Sequence, residues 1–353
     1  MRRISLFRGL HLVVCLAVAS LFLCAALEAQ SSPEGALAPL VSVEGIQHNI
    51  DTGHPDVALK QIATLRAAHS TVAGLSRLEG LADYELNDLR VADKAFAAAL
   101  AEDSHDSEAA QMRGLTLFRL GRPADAIPLL EGASKQGLLG KADPNYILAL
   151  CYMDTRRYDD ARHAFAAQYG FAADSAPAYL IAARMLLRRE YLPVSQSFAQ
   201  KALEINPNLP LAHELLGEIA LAGNHLDDAI AELEKEKATN PLEPSVYEGL
   251  GEAYNRAAKY DDAQRNLQAA VLLEPNATGP YISLGKTMLK KGDAVAAVTY
   301  LQHADQLDPD NFRTHSLLGQ AYRAMGRSED ASRETATAQR LQSASEPKID
   351  TMH

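Results

Sequence analysis

Histidine, cysteine and closely spaced acids are where catalysis or metal binding would begin, and this chain arranges few of them to do either. His213-Glu214 opens the helical zinc pattern His-Glu-x-x-His, but Leu215, Leu216 and Gly217 follow and the second histidine is missing. The eleven histidines are otherwise scattered. No glycine-rich phosphate loop, Gly-x-Ser-x-Gly or Cys-x-x-Cys occurs. Of three cysteines, Cys15 and Cys24 fall in an apolar N-terminal run, which leaves Cys151 with no partner for an internal disulfide. Beside Tyr152, it reads as a small core residue. Asn276-Ala277-Thr278 fits the glycosylation triplet, a pattern common by chance. The sequence therefore predicts no enzyme, no metal and no cofactor.

The elements behind these residues repeat. Pro207, Pro241, Pro275 and Pro309 stand 34 residues apart. A second ladder holds small residues at Ala58, Ala92, Ala126, Ala161, Ser195, Ala229, Ala263, Ala297 and Ala331, with one interval of 35 between Ala126 and Ala161. Twelve residues before each lies another mostly small position: Ile46, Gly80, Gly114, Ala149, Ala183, Gly217, Gly251, Gly285 and Gly319. A fixed period of this length means stacked copies of one supersecondary unit. In one copy, Tyr247, Leu250, Gly251 and Tyr254 share one helix face, and Ala263, Leu267 and Ala270 form the stripe of a second helix.

Turn and capping residues fit the same frame. Gly53, Gly121, Gly292 and Gly326 fall between the two helices, where a left-handed residue ends the first. Asp159/Asp160, Asp227/Asp228 and Asp261/Asp262 meet the positive dipole end of the second. The unit-ending proline stops that helix. Pro55, Pro123 and Pro193 stand near the start of a second helix, where proline is tolerated. In the fifth unit Ser195 replaces Ala and Phe198 comes one place early, which predicts a rotated second helix.

Carried in the last four units by His213/Leu216/Gly217/Ala229/Leu233/Pro241, Tyr247/Leu250/Gly251/Tyr254/Ala263/Leu267/Ala270/Pro275, Tyr281/Leu284/Gly285/Ala297/Leu301/Ala304/Pro309 and His315/Leu318/Gly319/Tyr322/Ala331/Ala338, the pattern resembles the tetratricopeptide repeats. No Trp occupies the first aromatic position, where Tyr or His stands instead. The resemblance implies an all-α fold, a right-handed solenoid of stacked antiparallel helix pairs with a concave groove lined by first helices. About nine units span residues 39–345, clearest over 208–342, with the polar helix Ser328 to Gln342 as an end cap and 346–353 as a polar tail. The loop Lys135 to Asn145, with Gly137 and Gly140, holds the extra residue and predicts a joint. His213 and His315 recur at the aromatic position and read as packed rings with one nitrogen in water.

Ahead of the repeats, Arg2, Arg3 and Arg8 precede an apolar run from Leu10 to Leu27, the layout of a secretory signal peptide. Residues 1–29 are read as that signal and 30–38 as a linker, with cleavage after Ala29 or, alternatively, Ala26. A run of about 18 apolar residues also suits an uncleaved membrane anchor. Lipid attachment at Cys24 is a minor alternative, since Leu23 before it is large where such a site wants a small residue. The expected location is periplasmic or secreted, with no integral membrane domain after cleavage. Losing three Arg and one Glu, the chain moves from a formal charge of −11 to −13, and an acidic surface argues against nucleic acid.

The resemblance places the second, fifth, ninth and twelfth positions of each unit on the groove. There the chain carries Glu214, Glu218, Glu248, Glu252 and Asn255 in units six and seven, and Lys286, Arg313 and Arg323 in the next two. An acidic stretch followed by a basic one would select an extended protein or peptide with matching charges. The carboxylate clamp that some members use on C-terminal tails is missing, since its positions hold glutamate. Tyr146 is the one aromatic at the fifth position, which disfavours sugar binding. The reading is a non-enzymatic scaffold or adaptor, by analogy in envelope assembly or secretion, with an accessory subunit positioning an enzyme or polysaccharide as the alternative. Self-association through the convex side or the terminal units stays open.

Overall fold

The computed structural model describes residues 41–68, 72–136 and 144–345. The predicted leader, linker and tail lie outside them, as does most of the glycine loop between the third and fourth units. From Val43 onward the chain forms one compact unit.

Eighteen helices in nine consecutive pairs make up that unit, and no strand occurs among the described residues. The first four pairs are α1 (Val43–Asp51) with α2 (Pro55–Ala67), α3 (Leu75–Glu85) with α4 (Leu89–Glu102), α5 (Ser107–Arg119) with α6 (Pro123–Gln136), and α7 (Pro144–Asp154) with α8 (Tyr158–Tyr169). The middle pairs are α9 (Ala176–Arg188) with α10 (Leu192–Ile205), α11 (Ala212–Ala222) with α12 (Leu226–Thr239), and α13 (Pro244–Arg256) with α14 (Tyr260–Leu273). The last are α15 (Thr278–Lys291) with α16 (Ala294–Leu307), and α17 (Phe312–Ala324) with α18 (Ser328–Ser345). Each helix packs on the next in sequence, and odd helices also touch the odd helices of neighbouring units, except between α7 and α9. Even helices make no comparable contact with one another among the described residues. The closer spacing of the odd set makes theirs the concave face of an α-solenoid.

The two helices of a unit lock where a large side chain enters the space left by a small one. A Cβ added to Gly251 would lie 2.4 Å from Leu267 Cδ2, and one at Gly285 2.4 Å from Leu301 Cγ. Gly80 faces Phe96, Gly114 Leu130 and Gly217 Leu233 in the same way. The partner is a buried side chain tip rather than backbone, so glycine serves here as a socket. Unit five keeps the fit by enlarging the socket residue and shrinking the knob. Ala183 stands at the socket, Ala199 at the knob position, and Ser195 Oγ donates to the Ala183 carbonyl at 2.7 Å. Ser195, Ala199 and Ala202 are fully buried, the stripe used in other units, so α10 is not rotated as predicted.

Each pair turns through one left-handed residue. Positive φ occurs at Gly53, Asn87, Gly121, Arg156, Glu190, Asn224, Ala258, Gly292 and Gly326. The bonds around Ala258 show why. Its N–H reaches the Asn255 carbonyl at 3.1 Å and that of Lys259 reaches Tyr254 at 2.9 Å, a Schellman closure that demands this conformation. Glycine marks only four of these nine turns. At Ala258 (φ 58°) the backbone carries a strain of about 1–2 kcal/mol that helix packing must offset.

Proline ends the second helices as predicted. Pro207, Pro241, Pro275 and Pro309 follow helices ending at Ile205, Thr239, Leu273 and Leu307. Three of their carbonyls gain a second use, accepting from Tyr247 Oη at 2.8 Å, Tyr281 Oη at 3.2 Å and His315 Nε2 at 2.9 Å in the unit that follows. The aromatic position thus ties each of the last three units to the previous helix end. The last helix is polar, with only Ala331 and Ala338 buried, and runs to Ser345, three residues beyond its predicted end.

One unit carries a misplaced charge. Asp83 sits where later units have Tyr254 and Tyr322, is 5% exposed, and leaves Oδ2 with no hydrogen bond. Burial, with Glu79 and Asp88 nearby, raises its pKa from 3.8 to about 6. Because the folded state holds this proton more tightly, the stabilising contribution is full below the unfolded pKa and is lost as pH rises through about 6. Wild type should lose up to about 3 kcal/mol from this group between about pH 4 and about pH 7. Asp83→Asn should remove that part of the dependence, and urea unfolding of both proteins at the two pH values checks it.

Candidate binding groove

Four odd helices, α11, α13, α15 and α17, carry the eight predicted groove residues. Glu252 (α13) and Lys286 (α15) form an ion pair at 3.2 Å across neighbouring units. They share a cleft of about 480 Å³ with Ile282, Ser283, Phe312 and Arg313. Only first helices line it, which fixes it to the concave face. The Arg313 guanidinium lies 5.9 Å from the Phe312 ring centre. Arg323 is not in this cleft; with Gln320, Thr335 and Gln339 it borders a second, of about 490 Å³, between α17 and α18.

The four glutamates differ in environment. Glu214 is 4% exposed, and its nearest cation is Arg184 of α9 at 4.0 Å. Burial raises its pKa, Ser245 and Arg184 offset part of the rise, and Glu218 adds to it. The Glu248 carboxyl is also raised, chiefly by burial and then by Glu274. Among the described residues neither Glu218 nor Glu248 has a cation within salt-bridge distance. The acidic stretch is therefore only partly neutralised, and Lys286 is committed to Glu252 rather than free. Asn255, 8% exposed, accepts at Oδ1 from Thr287 Oγ1 at 3.0 Å, while its Nδ2 has no acceptor.

Glu236 escaped the sequence reading. It is 1% exposed and stands where other units place Ala202, Ala270 and Ala304. Leu211 adopts a left-handed conformation (φ 65°), so α11 starts only at Ala212 and its first amides face inward without helix partners. The Glu236 carboxylate accepts them, from Leu211 N at 2.8 Å, His213 N at 3.2 Å and Glu214 N at 3.3 Å. A carboxylate at a helix start is favoured by charge as well as by hydrogen bonding. The signal was present in sequence as the one acid interrupting a run of alanines.

The two histidines at the aromatic position are structural, with one correction. His213 Nδ1 meets Glu232 at 2.6 Å, and His315 Nδ1 meets Glu334 at 2.8 Å. The other His315 nitrogen bonds the Pro309 carbonyl, so neither of its nitrogens is left to water, against the expectation. Burial disfavours a charge on that ring, but Glu334, the Pro309 carbonyl and Asp305 outweigh it and raise the pKa. No cluster of potential metal ligands occurs among the described residues. Cys151 is fully buried and its thiol is pushed up to about 12, chiefly by burial, so it is a poor nucleophile. Tyr146 and Phe165 form an edge-to-face pair with ring centres 6.0 Å apart.

A concave groove on stacked helix pairs defines an α-solenoid of the protein-binding type. Two sequence models of the tetratricopeptide repeat match, one over residues 288–347 and the other over 77–145, 112–177 and 248–312. Together they cover more than half of the chain, which belongs to the tetratricopeptide repeat family. No curated protein matches it. Among solved structures, MamA from Desulfovibrio magneticus RS-1 is 18% identical over 49% of this chain and 98% of its own, with a TM-score of 0.46. YrrB, described as a TPR protein with an unusual peptide-binding site, is 21% identical over 49% and 89%, with a TM-score of 0.42. The APC/C hetero-tetramer Cut9-Hcn1 is 16% identical over 80% and 56%, with a TM-score of 0.43.

Glu236 is expected to hold Glu214 as well as the helix. Glu236→Ala should cost about 1–3 kcal/mol, since three buried amides lose their acceptor, whereas Glu234→Gln nearby, at a half-buried position that keeps an acceptor for Tyr254 Oη, should cost at most about 1 kcal/mol. Chemical unfolding of the two variants checks this.

Proposed function

We propose that this protein is an exported scaffold whose concave groove holds a protein or peptide partner. Proteins of this family bind such partners and are generally not catalytic, and the fold supports an interaction role here. The observation that carries the reading is the acidic stretch on adjacent odd helices, where Glu218 and Glu248 are left without a cation beside the buried Glu214. Unpaired carboxylates on a concave wall cost desolvation and mutual repulsion, which a bound cationic group would relieve.

Export rests on Arg2, Arg3 and Arg8 ahead of the apolar run from Leu10 to Leu27. A role in envelope assembly or secretion is consistent with that leader. The accessory-subunit reading draws less support, because Tyr146 is the one aromatic at the fifth, groove-facing position and it is engaged by Phe165.

A crosslinking pull-down from the native envelope or secretome tests the reading, comparing wild type with Glu218→Lys/Glu248→Lys. Glu214 is kept, since its burial would make a lysine there disrupt the fold. One protein captured by wild type and lost by the folded variant is the expected result; equal capture by both would move recognition away from this stretch. The N-terminal residue of the exported protein should lie near Gln30, and an intact Met1 in the membrane fraction would contradict a cleaved signal.

A further inference from the structure

The groove does not continue in the same chemistry toward the N-terminal units. Positions equivalent to Glu252 and Asn255 hold Leu81 and Tyr84 in unit two, Leu115 and Phe118 in unit three, and Leu187 at the second of them in unit five. Leu180 stands where Glu248 does. None of these side chains is buried outright, yet each lies on the face of the odd helices, and most rest against the cores below. The change from apolar to acidic comes at α9 and α11, where Arg184 turns toward Glu214.

Resting on the groove reading above, we propose that the occupant is a partner segment in which a run of apolar side chains adjoins a cluster of Lys or Arg. Half-buried leucine and aromatic surface in units two, three and five gains from covering by apolar groups. The unpaired Glu218 and Glu248 take the cations, and the partly desolvated site strengthens that attraction. A uniformly basic peptide would leave the apolar half uncovered. A uniformly apolar one would leave the carboxylates desolvated without a partner.

Fluorescence anisotropy with the exported chain and three labelled synthetic peptides of equal length tests this. One joins a Lys/Arg cluster to a Leu/Phe run, the second replaces the cations by Asp and Glu, and the third replaces the apolar run by Ser and Asn. The first should bind at least about tenfold more tightly than either of the others. Glu218→Lys/Glu248→Lys should lower its affinity about tenfold or more and flatten its salt dependence. Leu115→Gln, shown by circular dichroism to fold, should lower it while leaving the salt dependence intact. If the acidic peptide binds best and is lost on Arg313→Glu, the partner chemistry is overturned while a groove site survives. If no peptide binds, or all bind alike whatever the variant, the partner chemistry is overturned, and equal capture in the pull-down would then remove the groove reading as well.

Discussion

Five units, the second, third, sixth, seventh and eighth, depend on one contact, the seating of a large side chain from the second helix in the space left by a glycine on the first. Leu267 can occupy that space because Gly251 has no Cβ, and Leu301 fills the same space at Gly285. The contact sets the distance between helices and therefore where the first helix leaves the pair. The last three units inherit that position in part through the hydrogen bonds from Tyr247, Tyr281 and His315 to the preceding proline carbonyls. A shape that propagates by nearest-neighbour contacts has no single central core. It has a chain of small ones, and an error in one pair displaces all the units beyond it.

The groove is the consequence of that regularity, and its chemistry comes from departures in it. Because odd helices pack on odd helices, side chains one repeat apart meet, as Glu252 and Lys286 do. Unit six departs most. Its first helix begins late, a buried Glu236 replaces an alanine, and the freed amides of Leu211, His213 and Glu214 converge on that carboxylate. The cap places the backbone of Glu214, whose side chain then lies buried next to Arg184. A feature of packing thereby fixes one end of the acidic stretch.

Much of this was legible in the amino-acid order because the period forces like residues onto like positions. The helix pairs, the socket residues, the ending prolines and the polar last helix could all be read from spacing. Turns were harder. Glycine disclosed four left-handed positions, but Asn87, Arg156, Glu190, Asn224 and Ala258 adopt the same conformation under tertiary constraint, against their own preference. His315 was expected to keep one nitrogen wet, since nothing in its own segment reveals that Pro309 and Glu334 approach from both sides. The groove residues were placed by register, whereas their pairing depended on contacts between units that no single repeat encodes.

The socket contact can be measured directly by a double-mutant cycle on Gly251 and Leu267, with Gly251→Ala, Leu267→Ala and the double variant unfolded in urea. Alone, the glycine change should cost about 1–3 kcal/mol by overpacking, and the leucine change about 2–5 kcal/mol by opening a cavity. If the knob-and-socket account is right, the double variant loses less than the sum by about 1 kcal/mol or more, because the added methyl enters space that the leucine has left. Additivity within about 0.3–0.5 kcal/mol would show that the two residues do not share that space and would contradict the account.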